Sequence, residues 1–208
     1  VVFEKYSSGQ YDVYYTKKSG GSWQTNPTNI SPNSYTNTEI PRIAIDSQDR
    51  IHVVWQDIND GTPKGIFYRV KSGSTWSPAT SDLGYSVSGS TNSYWSALAV
   101  DADGDPHIFW ETKDSSNQYD IWYRCQDGGT WKPKANIVSN TGNNTETASA
   151  AFDANGNLHL VYYDNPGGTK GIYYKMLPAS VPSVGVLAGW VKDSSNNPIE
   201  GATVTAGS

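Results

Sequence analysis

Arg42-Ile43-Ala44-Ile45-Asp46, followed by Ile51-His52-Val53-Val54-Trp55, is one of three stretches built on the same pattern. The second is Ala97-Leu98-Ala99-Val100-Asp101 with Pro106-His107-Ile108-Phe109-Trp110. The third is Ser149-Ala150-Ala151-Phe152-Asp153 with Leu158-His159-Leu160-Val161-Tyr162. Successive Asp residues lie 55 and then 52 positions apart, and each precedes its His by six. A constant period of about 50 residues made of short apolar strands indicates a repeat architecture. Residues that recur in every unit are expected to be scaffold, and those that break the pattern are the better functional candidates.

Each unit reads as four strands. The first ends at the Asp, and the second carries the His and an aromatic residue. Between them lie turns rich in Asp, Asn and Gly, such as Ala102-Asp103-Gly104-Asp105, which supply side-chain turn bonds and positive φ angles. The third strand is Gly65-Ile66-Phe67-Tyr68-Arg69, Asp120-Ile121-Trp122-Tyr123-Arg124 and Gly171-Ile172-Tyr173-Tyr174-Lys175. A glycine turn then leads to Trp76 and Trp131, where the fourth strand is expected to start. The N-terminus enters this pattern in mid-unit: Val1-Val2-Phe3 matches a second strand, Asp12 to Thr16 a third, and Gly20 to Trp23 a glycine turn.

Consecutive apolar positions in the second strands, such as Ile108-Phe109-Trp110, predict burial on both faces. Four-stranded sheets buried on both faces and repeated at one period predict an all-β β-propeller of antiparallel blades, with about four blade units. The expected organisation is a propeller over 1–177, with a partial unit 1–31 and units 36–85, 91–139 and 143–177. Residues 178–208 are expected to form a linker plus extra strands.

The turns Gly20-Gly21-Ser22-Trp23, Gly73-Ser74-Thr75-Trp76 and Gly128-Gly129-Thr130-Trp131 resemble the second half of the Asp-box of sialidase-like propellers. The first half is degenerate, with Lys18, Lys71 and Gln126 in the Asp slot. The likeness spans residues 1–177 and implies a fold far more than an activity. The tail is different. Gly185 to Asp193 followed by Pro198-Ile199-Glu200-Gly201-Ala202-Thr203-Val204 resembles the opening of the carboxypeptidase regulatory-like β-sandwich. Two strands are too few to bury a core alone, so they either begin another domain or complete the propeller.

Composition narrows the partners. Of 208 residues only 17% are charged, 12% are aromatic, and the net charge is −5. Aromatics suit pleated, half-buried surfaces. The cations form no cluster, so nucleic acid is not an expected partner. Cys125 is the single cysteine, so no intrachain disulfide forms. No apolar run approaches the ~20 residues needed to span a membrane as a helix. The chain begins Val1-Val2-Phe3 without Met, as a trimmed or excised segment does. Abundant Asn, Ser, Thr, Gly and Tyr suggest an extracellular or cell-surface setting.

The recurring residues are read first as scaffold. His52, His107 and His159 occupy one position per unit, too far apart in a ring for the ~2 Å bonds of one shared zinc ion. Asp101, Asp103 and Asp105 place three carboxylates in one turn, a weak calcium candidate. No downstream Glu completes the ~6–8 oxygens calcium prefers. No other cofactor is expected. The sialidase resemblance implies three arginines gripping a carboxylate. The arginines are Arg42, Arg50, Arg69 and Arg124, and the last two share one repeat position. Glu4, Glu39, Glu111 and Glu146 show no marked glycosidase pair.

The pattern breaks before the first strands. Asn37-Thr38-Glu39-Ile40-Pro41 and Asn144-Thr145-Glu146-Thr147-Ala148 flank Asn92-Ser93-Tyr94-Trp95-Ser96. Tyr94 and Trp95 put two aromatics where a loop meets an inner strand, either stacking on a ligand or filling a gap between blades. Tyr94, Trp95, Glu111 and Tyr119 are the candidate ligand-binding residues, with Tyr35, Asp57 and Asp164 in nearby loops as weaker ones. The function expected is a non-catalytic binding or adhesion module for a glycan or a surface protein. The alternatives are a fragment of a sialidase-like glycoside hydrolase and a surface-layer spacer. An incomplete ring would expose blade faces and favour a homodimer.

Overall fold

The computed structural model describes residues 1–32, 37–59, 62–78, 85–89, 92–113, 118–139, 146–165 and 171–178, without the side chains of 59, 62–64, 85–86 and 146–148. Tyr35, Asn144 and the strands expected over 185–206 lie outside these residues. Every regular element among the described residues is a strand. The first unit holds β1 (Val2–Ser7), β2 (Gln10–Tyr15), β3 (Lys18–Ser19), β4 (Ser22–Trp23) and β5 (Thr28–Asn29). The second holds β6 (Asn37–Ile45), β7 (Ile51–Asn59), β8 (Thr62–Ser72), β9 (Thr75–Ser77) and β10 (Tyr85–Ser86). The third holds β11 (Ser93–Val100), β12 (Pro106–Lys113), β13 (Tyr119–Asp127), β14 (Thr130–Trp131) and β15 (Ala135–Val138). The fourth holds β16 (Glu146–Phe152), β17 (Leu158–Asp164) and β18 (Gly171–Leu177).

Within a unit the strands pair antiparallel in chain order, as in β11-β12-β13 and β16-β17-β18. The first strands of successive units pack side by side, with β11 lying between β6 and β16. Small side chains such as Ala97 and Ala99 fit this close approach and are buried there. The result is a β-propeller, its sheets arranged as blades with the first strands innermost.

Three apolar clusters coincide with three blade interfaces. Val13, Tyr15 and Ile30 of the first unit meet Val53, Trp55, Phe67 and Trp76 of the second. Val54, Ile66, Tyr68 and Val87 meet Ile108 and Trp110 of the third. Ala97, Ala99, Phe109, Ile121, Ile137 and Val138 meet Leu158 and Leu160 of the fourth. Alternation explains the sharing. Successive residues of a strand point to opposite faces, so Val53 and Trp55 face one neighbour while Val54 faces the other. Burying one such side chain contributes about 1.5–3 kcal/mol.

The fourth strand differs from the sequence expectation. Trp23, Trp76 and Trp131 do not begin the outer strand. They close a small ribbon, pairing with Lys18, Lys71 and Gln126. The outer strands β5, β10 and β15 begin later and pair with Tyr14 and Tyr15, with Phe67 and Tyr68, and with Ile121 to Tyr123. In the second and third units the third strand outruns its outer neighbour. Its far end therefore takes the ribbon as partner and its near part takes the outer strand.

Each first strand carries a bulge at the same place. Register shifts fall between Glu39 and Arg42, between Tyr94 and Ala97, and between Glu146 and Ser149. Ile40 and Trp95 take positive φ angles of 55° and 36° there. Bulky side chains avoid that region unless their surroundings hold them in it. The preceding unit does so: Ile40 N donates to Glu4 Oε1 at 2.6 Å, and Trp95 N to Gln56 Oε1 at 3.1 Å.

Candidate functional site

The recurring Asp and His residues form a lock with the Tyr of the third strand. Tyr68 Oη lies 2.7 Å from His52 Nδ1, and His52 Nε2 lies 3.0 Å from Asp46 Oδ2. The third unit repeats this with Tyr123, His107 and Asp101 at 2.7 and 3.3 Å. The fourth has Tyr174 Oη 2.8 Å from His159 Nδ1, and His159 Nε2 3.2 Å from Asp153 Oδ2. The Tyr hydroxyl donates to Nδ1; in the second and third units Nε2–H donates to the carboxylate, whereas His159 Nε2 lies near Asp153 without a hydrogen bond. The same carboxylates cap the turn, with Asp46 Oδ1 accepting from Gln48 N and Arg50 N. The lock joins three strands of one blade. The His side chains are 1%, 14% and 33% exposed in unit order, so it loosens toward the fourth unit.

Burial is the main reason the pKa values of His52 and His107 lie below the ordinary 6.5, offset in part by Asp46 and Asp101 respectively. Burial pushes Asp46 upward, but hydrogen bonds from His52, Arg50 and Gln48 outweigh it and bring the carboxyl down to about 2. All three groups therefore bind fewer protons folded than unfolded. Their contribution is complete above the unfolded values and is lost as pH falls through the folded ones. The urea midpoint is expected to drop between about pH 7.5 and about pH 5 as the histidines are forced to protonate, and again below about pH 4 with Asp46. A midpoint that stays level or rises over the first interval would show that neutral histidine is not what the fold stabilises.

The acidic turn of the third unit is committed to the backbone. Asp101 Oδ1 accepts from Asp103 N and Asp105 N. Asp105 reaches across to the glycine turn and accepts from Gly128 N at 2.7 Å and Gly129 N at 3.1 Å. Asp105 thus caps the turn whose own Asp slot holds Gln126. The carboxylates of Asp101 and Asp105 thus have separate tasks. Among the described residues no group of three His, Cys, Asp or Glu side chains is placed to hold a metal ion. Gly104, between Asp103 and Asp105, has φ 83°, and a Cβ there would meet the Arg50 guanidinium and the Asp46 carboxylate. Arg50 also donates to Gly104 O at 2.8 Å, tying the second unit's turn to the third's.

At the other end of the third unit's first strand the aromatics converge. Tyr94, Trp95 and Tyr119 form a triangle of rings. Their centroids are 5.9 Å apart for Tyr94–Trp95, 5.6 Å for Tyr94–Tyr119 and 6.3 Å for Trp95–Tyr119. Lys113 Nζ lies 5.7 Å from the Tyr119 ring centroid. Trp95 is 38% exposed. The bulge turns it outward, and Gln56 of the second unit fixes its backbone. The cluster stands about 20 Å along the strand from the Asp101 lock.

The structure therefore brings Tyr94, Trp95 and Tyr119 together. Glu111 pairs with Tyr94 in the ladder but is fully buried. It follows Trp110 just as Gln56 follows Trp55 and Glu4 follows Phe3, the position that holds the next unit's bulge. Asp57 and Asp164 are buried as well. Sequence reasoning missed Gln56, although its place directly after the second-strand aromatic was a usable signal. Lys113 carried no such signal.

Three of the four arginines serve the scaffold. Arg50 pairs with Asp46, Arg69 is fully buried over Trp55, and Arg124 donates to Lys132 O and to Val87 O of the preceding unit. Lys175, at the position of Arg124, likewise reaches Ile137 O at 2.7 Å.

No protein-family model and no curated protein matches the chain. Among solved structures it is similar to a protein of unknown function from Dyadobacter fermentans, at 13% identity and a TM-score of 0.56 over 82% of this chain. It is also similar to the Hadza microbial sialidase Hz136, at 14% identity and a TM-score of 0.52 over 86% of this chain. The chain spans 59% and 40% of the lengths of those two proteins. At such identities the likeness is one of fold.

Proposed function

We propose that the protein is a non-catalytic propeller module, extracellular or at the cell surface, that binds glycan through Tyr94, Trp95 and Tyr119. The carrying observation is the aromatic triangle, with Trp95 exposed and Tyr94 and Tyr119 half-buried, at a place where the repeat breaks. Flat rings in a fixed arrangement offer a sugar ring an apolar face, and Lys113 beside them offers a donor to its hydroxyls. The bound arginines support the non-catalytic part. Arg50, Arg69 and Arg124 are held by scaffold partners, so they are not poised together to grip a substrate carboxylate. The expectation that residues 185–206 either begin a second domain or complete the propeller belongs to the same proposal.

A second reading has one observation in its favour. The sialidase of similar fold is much longer, and this chain spans 40% of it. On that reading the chain is a piece of a glycoside hydrolase whose catalytic residues lie elsewhere. A glycan array followed by mass spectrometry of the captured sugars separates the two. Retention of intact glycan supports the binding module. Cleavage by the 208-residue chain, or silence across the array, would contradict it. Trp95→Ala is expected to weaken binding about 30-fold or more, a hot-spot effect of about 2 kcal/mol.

A further inference from the structure

The two ends of the blade series are complementary. Each internal interface follows one rule. The rear face of a unit is an aliphatic residue and a Tyr two positions on along the third strand: Val13 and Tyr15, Ile66 and Tyr68, Ile121 and Tyr123. The front face of the next unit covers it, and Val13, Ile66 and Ile121 are all 0% exposed. Two of these Tyr rings also take the next unit's glycine-turn Trp edge-on. Tyr15 meets Trp76 at 5.5 Å and 77°, and Tyr68 meets Trp131 at 5.3 Å and 87°.

The fourth unit presents the same rear face, and among the described residues nothing covers it. Ile172 is 74% exposed and Tyr174 59%, with Val161 and Met176 beside them also exposed. The first unit presents the matching front face. Its Phe3 and Tyr14 stack at 6.0 Å and 25°, as Trp55 and Phe67 do at 6.3 Å and 20° and Tyr162 and Tyr173 at 5.9 Å and 24°. Its glycine-turn Trp23, equivalent to Trp76 and Trp131, is 54% exposed. Among the described residues, Tyr174 of the fourth unit thus lacks a Trp like those on Tyr15 and Tyr68, and Trp23 of the first unit lacks such a Tyr.

We infer that the occupant of the fourth unit's rear face is the first unit of a second copy of this chain. The contact continues the internal interfaces: Phe3 and Tyr14 of one copy cover Ile172 of the other, and Trp23 meets Tyr174 edge-on. The contact is front to rear, so two copies close on each other if the rotation allows and extend as a chain if it does not. Exposed apolar faces of this kind on a stable sheet mark interaction surfaces.

Sedimentation of the full chain over a concentration series tests this. The wild type is expected to self-associate. Ile172→Asp and Trp23→Asp each place a charge on one of the two faces and are each expected to weaken association about 30-fold or more. Both positions are exposed, and circular dichroism with an unfolding curve checks that each variant folds. An Ile172→Asp copy retains its front face and a Trp23→Asp copy its rear face. Mixing the two is therefore expected to restore a one-to-one pair that neither forms alone. If Ile172→Asp fails to fold, Met176→Asp probes the same face. A wild type that stays monomeric overturns the inference. So does an assembly insensitive to either substitution, or one that mixing does not restore. Glycan binding at Trp95 is a separate readout, so failure here leaves the proposed function standing.

Discussion

Trp110→Ala is expected to lower the free energy of unfolding by about 3–5 kcal/mol, as truncating a fully buried Trp does. Trp110 is only 1% exposed and packs with Val54, Ile66, Tyr68, Val87 and Ile108 between the second and third units. Its indole N–H donates to Thr112 Oγ1 at 3.0 Å, so one hydrogen bond is lost along with the packing. Apolar contacts on both sides leave little freedom for the site to collapse, which places the cost at the upper end of the range. Against a typical domain stability of about 5–15 kcal/mol the change is severe. A urea titration followed by tryptophan fluorescence and circular dichroism measures it. A loss below about 1 kcal/mol would mean that the blades do not depend on this interface.

His52→Ala is the second large effect, expected at about 3 kcal/mol. The side chain is almost fully buried and serves two partners, Tyr68 and Asp46. Removing it leaves the Tyr68 hydroxyl without its acceptor and Asp46 without a donor. Each orphaned buried group costs about 1–3 kcal/mol, and a cavity adds to that. Asp46 keeps its bonds to Arg50 and Gln48, which limits the total. The three units form an internal series. His107→Ala should cost less than His52→Ala, and His159→Ala under about 1 kcal/mol, following the rising exposure from 1% to 33%. Equal losses at all three positions would contradict a role set by burial. Loss of glycan binding in His52→Ala without loss of stability would make the histidine functional instead.

The period and the alternation made the blades and their interfaces legible before any coordinates. Val53, Val54 and Trp55 are consecutive apolar residues because alternate positions serve the two opposite neighbours, and that pattern is visible in the chain. The outer strand begins later than the sequence predicts because the Gly-x-(Ser/Thr)-Trp turn, the stronger local signal, closes a separate ribbon. Sequence alone does not show that a ribbon of two or three residues is distinct from the strand that follows. The aromatic cluster was legible as a departure: Tyr94 and Trp95 stand where the neighbouring units have Glu39-Ile40 and Glu146-Thr147. What brings Tyr119 to them is the β12–β13 ladder, which pairs Tyr119 with Lys113 while Tyr94 pairs with Glu111 on the other side of β12. What turns Trp95 outward is a one-residue register shift, Trp95 and Ser96 together opposing Trp110, held by Gln56 from another unit. Such contacts across units depend on how blades stack, which local pattern does not encode.

The assignment of recurring residues to scaffold and of the broken position to binding rests most directly on Trp95. Calorimetric titration of a glycan selected on the array, against wild type and Trp95→Ala, is the deciding measurement. Affinity is predicted to fall about 30-fold or more in the variant, while its unfolding midpoint stays close to wild type. Unchanged affinity, or a Trp95→Ala protein as destabilised as His52→Ala, would show that Trp95 is part of the packing and that the site lies elsewhere.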